Sequence, residues 1–144
     1  MLFPRRRGGR AAAVCWRRVG GALTVGLVTT SDGERWTFPK GHRKPGEKPA
    51  AAAAREAHEE AGVRGTVDDR RLLAYRYPAR GGGDDVVVDA YLLHVTGVGE
   101  PLEAFRSVAW CDPPSARRRL AEGRDGFHAA ELERVLDAAL RRLR

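Results

Sequence analysis

The apolar positions of the chain change their spacing several times, and each change marks an element. Between Ala11 and Thr30, Val14, Trp16, Val25, Leu27 and Val28 flank Gly20-Gly21, which predicts two strands joined by a hairpin turn. A Ser31-Asp32-Gly33 turn leads to a short extended piece, Arg35 to Phe38, which Pro39 ends by removing a ladder donor. A loop of glycine, proline and basic residues follows from Lys40 to Lys48. Pro49 then stands where a first helical turn begins, Ala50 to Ala61 holds strong helix formers, and Gly62 supplies a stop.

Beyond that helix the pattern predicts strands over Arg71 to Tyr77, Val86 to Val95 and Arg106 to Cys111. Pro78 and the Gly81-Gly82-Gly83 run separate the first two by a long, mobile hairpin loop. Asp112-Pro113 resembles a helix start and Gly123 a stop, so a short helix is expected over Pro114 to Glu122. Leu132, Val135, Leu136, Ala139, Leu140 and Leu143 recur at helical spacing and predict a last helix whose stripe packs on a sheet. The class is α/β or α+β, a mixed sheet flanked by helices, with no internal repeat.

Length and charge narrow the function classes. The 144 residues fit one domain, which the pattern divides into a basic tail over 1–10 and a folded unit over 11–144. Lys and Arg number 26 against 19 Asp and Glu, a net charge of +7, so the favoured partner is a polyanion. Arg5, Arg6, Arg7 and Arg10 read as a solvated tail before they read as a nucleic-acid arm, and nucleic acid is not the favoured partner. No apolar run approaches the ~20 residues that span a bilayer, and Ala11 to Trp16 is too short for a signal-peptide core, so no membrane association and a cytoplasmic location are expected. Cys15 and Cys111 lie far apart without metal spacing and read as buried small hydrophobes.

The candidate chemistry lies on the central helix. Glu56 and Glu60 are four apart and Glu56 and Glu59 three apart, which puts three carboxylates on or near one face. Arg55 can hold one of them, at i,i+4 from Glu59, but one cation does not neutralise the cluster. Oxygen ligands at this density suit Mg²⁺ or Mn²⁺, which bridge carboxylates to substrate phosphates. The preceding loop brings Lys40, His42, Arg43, Lys44 and Lys48 beside the acidic helix, with Gly41 and Gly46 allowing close backbone approach. Together these point to phosphoanhydride chemistry.

Gly41, five residues, Glu47, seven residues, then Arg55-Glu56-Ala57-His58-Glu59-Glu60-Ala61-Gly62-Val63 resembles the signature of the Nudix hydrolases. Ala57 stands where that pattern asks for an aliphatic residue, usually a larger one. The resemblance implies an α/β/α sandwich, a loop-helix-loop motif that binds divalent cations, and water attack on a phosphorus of a nucleoside diphosphate linked to another moiety. By position it makes Glu56, Glu59 and Glu60 the metal ligands, with the Gly41 carbonyl completing the shell. Arg55 orients a glutamate and Glu47 assists from the motif's edge. Members often recruit a further carboxylate, for which Glu103, seven residues before Trp110, is the candidate and Asp89 a weaker one.

Trp36-Thr37-Phe38-Pro39-Lys40-Gly41-His42 looks like the branch that hydrolyses diadenosine polyphosphates or diphosphoinositol polyphosphates. Lys40 and His42 would then contact phosphates, with Arg43 and Lys44 adding positive potential. The alternatives are a nucleoside triphosphate pyrophosphohydrolase of the nucleotide-pool sanitising type, or a silent nucleotide- or RNA-binding module. Tyr75, Tyr77, Tyr91 and Phe127 are the aromatics available to stack on a base, although such residues more often belong to a core. His58 reads as a surface residue, and His94 and His128 carry no identifiable partner.

Overall fold

The computed structural model describes residues 9–144, so the tail arginines Arg5, Arg6 and Arg7 lie outside the described residues. Arg10, assigned to the tail by sequence, begins the first strand, β1 (Arg10–Val19), and pairs with Val88 and His42. β1 turns at Gly20-Gly21 into β2 (Ala22–Thr29), the expected hairpin; both glycines have positive φ. The extended piece before Pro39 is the two-residue β3 (Trp36–Thr37).

Lys40 to His42, expected as loop, is a strand, β4 (Lys40–His42), antiparallel to β1 with Gly41 opposite Ala11. Local composition was overridden there by pairing to a strand distant in sequence. The central helix, α1 (Pro49–Ala61), has Pro at its start and ends on Gly62, whose left-handed backbone directs its N–H at the carbonyls of Ala57 and His58. A side chain at position 62 would run into the Gly99 backbone, so that terminus also needs glycine sterically.

Sequence reading missed β5 (Val63–Val67), in which Gly65 interrupts the apolar run and passes close to the His94 carbonyl at a register shift. The remaining strands are β6 (Leu73–Tyr77), β7 (Val86–Val98) and β8 (Val108–Cys111), each expected but with shifted bounds. α2 (Pro113–Ala121) is capped by the Asp112 carboxylate, which accepts from the Ser115 N–H, and α3 (Gly126–Arg142) is capped in the same way by Asp125.

The strands form one mixed sheet in the order β3-β2-β1-β7-β5, with β4 also beside β1, β6 beside β7 and β8 beside β2. β1 and β7 run parallel. Alternation along β1 divides the core in two. Ala11, Ala13 and Cys15 face α1, and Ala12 and Val14 face α2 and α3. The α1 side is built from small residues on both partners, Ala53, Ala57 and Ala61 against Ala11 and Ala13, so the helix sits close to the sheet. The other side holds Leu27, Phe38, Tyr75, Leu92, Leu132 and Leu136. The sheet flanked by helices on both faces is the expected sandwich, and among the described residues no helix is long and apolar enough to cross a membrane. Cys15 and Cys111 are buried free thiols, and burial pushes Cys15 up to about 12.

Candidate active site

The stripe that buries Ala53 and Ala57 turns the neighbouring positions of α1 toward β4. Glu56 and Glu60 are consequently buried carboxylates, Glu60 with only 3% of its surface exposed. The Lys40 backbone N–H donates to Glu60 Oε1 at 3.3 Å. Gly41 faces the Glu56 carboxylate so closely that a Cβ would overlap it. Glycine is therefore needed at position 41 for space, and the missing side chain is what lets a carboxylate approach the strand.

Arg55 joins the motif. Its Nε and Nη2 each donate to one oxygen of Glu47 at 2.9 Å, its Nη1 donates to Glu56 at 2.9 Å and to Glu59 at 3.0 Å, and Nη2 also reaches the His42 carbonyl at 2.9 Å. The bidentate fork holds the Glu47 carboxyl down at about 2, and the Glu47 and Glu56 carboxylates outweigh burial in keeping Arg55 charged. Lys44 closes the turn by donating its backbone N–H to Glu47 at 3.0 Å.

A second arginine, Arg106, was not foreseen from sequence. Its side chain is 13% exposed, and Nε donates to Glu103 at 2.9 Å, Nη1 to the Thr29 carbonyl at 2.8 Å, while Nη2 lies 3.7 Å from Glu60. Glu103 is docked on the same helix, because its own N–H donates to the Glu59 carbonyl at 3.0 Å. Glu103 thus joins the cluster, whereas Asp89 does not. Asp89 is fully buried and paired with Arg71 at 3.0 Å, and no hydrogen bond among the described residues links it to the glutamates. The i,i+3 spacing of Glu103 and Arg106 was the one local signal for this pair.

Burial pushes Glu60 up to about 9, aided by its side-chain bond to Glu56 and opposed by the Arg106 charge. Two buried carboxylates sharing one place, with a backbone carbonyl strand beside them, are a donor set that fits a hard divalent cation. Among the described residues no three acidic, imidazole or thiol groups converge as a finished cage. Arg55 and Arg106 lie on the carboxylates instead, so a cation would enter by taking those oxygens over.

The basic residues of the preceding loop divide. His42, Arg43 and Lys44 flank the cluster on β4 and its turn, His42 and Lys44 exposed and Arg43 half-buried. The Lys40 ammonium lies 4.0 Å over the Tyr77 ring, turned away from the glutamates. Tyr75 and Tyr91 are buried, whereas Phe127 is exposed. The histidines also differ from expectation: His58 is half-buried with an enclosed Nδ1, His94 stacks on Trp16 at 4.3 Å, and His128 bridges Asp125 and Asp85, each at 2.9 Å.

The family model described as NUDIX domain matches residues 6–130. The chain belongs to the Nudix family. Its Nudix box is the Gly41 to Val63 segment whose side chains are described above. The chain is similar to an RNA pyrophosphohydrolase of Legionella pneumophila (strain Corby), 36% identical over 90 residues, covering 49% of this chain and 51% of that protein. It is also similar to human diphosphoinositol polyphosphate phosphohydrolase 3-alpha, 39% identical over 64 residues, 44% of this chain and 38% of that protein. The chain therefore spans about half of the first relative's length and less of the second's. A solved C. elegans Ap4A hydrolase superposes with a TM-score of 0.70 at 25% identity, over 96% of this chain and 100% of that one. The NUDIX domain of Shewanella oneidensis NrtR, in complex with ADP ribose, shares the fold, with a TM-score of 0.70 at 17% identity over 97% and 90%.

Proposed function

We propose that this Nudix protein is a Mg²⁺- or Mn²⁺-dependent hydrolase that cleaves a phosphoanhydride bond by water attack, acting on a dinucleoside polyphosphate or a diphosphoinositol polyphosphate. The observation that carries the reading is the closed set of Arg55, Glu47, Glu56, Glu59 and Glu60 around the Gly41 backbone. Glu56, Glu59, Glu60 and Glu103 would hold the cation together with the Gly41 carbonyl. Bound there, the cation neutralises phosphate charge and acidifies a water.

The protein's own groups do the rest. Arg55 keeps Glu56 and Glu59 aimed at one place, and Glu47 fixes Arg55 by the bidentate contact. One glutamate of the cluster takes the proton of the attacking water. His42, Arg43 and Lys44 supply positive potential along the path of a long polyphosphate, and Lys40, beside Tyr77, contacts the end of the substrate farther from the attacked phosphorus. The curated relative that acts on diphosphoinositol polyphosphate and the fold neighbour that hydrolyses Ap4A agree with this class. A second reading, removal of pyrophosphate from an RNA end, is favoured by the 36% identical relative and the net charge of +7.

Ion-exchange analysis of products after incubation with Mg²⁺ and a substrate panel tests the proposal, with Glu60→Gln as control. Cleavage of diadenosine polyphosphates or diphosphoinositol polyphosphates, lost in the variant, is the expected result. Turnover of 5′-triphosphate RNA alone establishes the second reading. Turnover of nucleoside triphosphates alone makes the protein a nucleotide-pool enzyme, and no turnover of any substrate makes it a binding module.

A further inference from the structure

β4 divides its side chains between the two faces of the sheet. Gly41 pairs with Ala11 and faces α1, whereas Lys40 pairs with Ala12 and so points to the α2 and α3 face. There its ammonium lies 4.0 Å over the Tyr77 ring. The turn between α2 and α3 reaches the same phenol. Arg35 holds that turn by donating its Nε to the Gly123 carbonyl at 2.9 Å. The next residue, Arg124, donates Nη2 to the Tyr77 hydroxyl at 3.3 Å and Nη1 to the Leu120 carbonyl at 2.8 Å.

Two cations thus meet on one side chain, and no acid accompanies them. Among the described residues neither Lys40 nor Arg124 forms an ion pair, whereas Arg71, Arg117 and Arg134 each sit on a carboxylate. The Lys40 ammonium and the Arg124 Nε make no hydrogen bond there, and neither atom is enclosed, so both stay open to a ligand. Burial raises the Tyr77 phenol, yet Lys40 and Arg124 outweigh it and leave the phenol below its ordinary value, which marks the place as net positive. Like charges held this close repel, and a bound anion relieves the repulsion. The fork of arginine and the point charge of lysine both suit phosphate oxygens.

Lys40 also ties this place to the glutamates, because its backbone N–H donates to Glu60 Oε1 at 3.3 Å while its ammonium lies on Tyr77. The two places are therefore about one lysine side chain apart, a span that phosphates joined by anhydride oxygens cover without a sugar or a base. β4 pairs only with β1, so its outer edge carries no further strand and a polyphosphate chain can turn round it. We propose that Arg124, together with Lys40, binds a substrate phosphate remote from the attacked phosphorus. The inference rests on the polyphosphate hydrolase reading for the identity of that phosphate, and it makes Arg124 a binding residue supplied by the turn between α2 and α3.

The test is isothermal titration calorimetry of the full chain with inorganic tripolyphosphate, in EDTA so that no cation bridges phosphate to the glutamates. Saturable binding is expected, weakened about tenfold by Arg124→Gln, one decade in Kd, and less by Arg124→Lys, which keeps the charge and loses the fork. Glu60→Gln should retain the binding. With Mg²⁺, Arg124→Gln should raise KM for diadenosine tetraphosphate and leave kcat within about twofold. Binding that does not saturate, that sodium chloride of equal ionic strength abolishes, or that is unchanged in Arg124→Gln overturns the site. A chain that binds tripolyphosphate through Arg124 yet hydrolyses nothing overturns the hydrolase reading and leaves the site standing. Should Arg124→Gln fail to fold, Lys40→Gln, on a different element, must still weaken tripolyphosphate binding several-fold.

Discussion

The two ends of β1 carry arginines in opposite circumstances. At the Ala11 end, beside Gly41, Arg55 meets Glu47, Glu56 and Glu59, and Arg106 meets Glu103 and Glu60. At the Trp16 end, Arg17 and Arg18 meet no carboxylate among the described residues. A net charge of +7 says nothing about this distribution. Where acids outnumber the arginines, the surplus that remains is negative; where acids are missing, the arginine charge is left unbalanced. One strand thus separates two regions of opposite charge balance.

The comparison can be broken most sharply at the acidic end. Glu59→Gln or Glu60→Gln should lower turnover by about two orders of magnitude or more with circular dichroism unchanged, and wild-type rates in both would remove the cation from the proposal. Next in size is the stability contrast between arginines. Arg55→Ala leaves three carboxylates facing one another and should cost about 3 kcal/mol in urea denaturation, whereas Arg17→Ala, which strands no acid, should cost no more than about 1 kcal/mol.

The pH response of the metal-free protein has a defined sign. Glu60 keeps its proton in the folded state up to about 9, against an ordinary value of 4.5, so between those pH values the folded chain binds the extra proton. Stability in EDTA should therefore fall as pH rises from about 5 to 9, and thermal melts of Glu60→Gln should lack that fall. A flat profile in the wild type would show Glu60 to be ionised without help. The smallest effect expected is that of Lys40→Ala, a several-fold loss on diadenosine tetraphosphate that exceeds the loss on a nucleoside triphosphate; equal losses would detach Lys40 and Tyr77 from long substrates.

Local spacing made much of this protein legible. The alanine run between Pro49 and Gly62 defines its helix by propensity and end signals, and the i, i+3 and i, i+4 offsets of Glu56, Glu59 and Glu60 place them together without knowledge of the fold. Arg55 could be expected to hold Glu59 but not the bidentate grip on Glu47, eight residues back across a turn. Asp89 shows the limit of such reading. As an acid inside an apolar strand it looked available for a site, yet Arg71, eighteen residues earlier, neutralises it across the sheet. His128, without a partner in sequence, is held by Asp85 from a loop forty-three residues away.

What the sequence alone determined is what short-range sterics and periodicity control: the hairpin at Gly20-Gly21, the helices with their caps, and the spacing from Gly41 to Val63. The tertiary structure decided what depends on chain segments meeting. It paired β4 with β1 and β5 with β7 against unfavourable local composition, docked Glu103 through the Glu59 carbonyl, and lodged Arg106 between Glu103 and Glu60. Backbone pairing and ion pairing across such distances are rewarded only once the sheet has closed the intervening loops, so no window of neighbouring residues contains them.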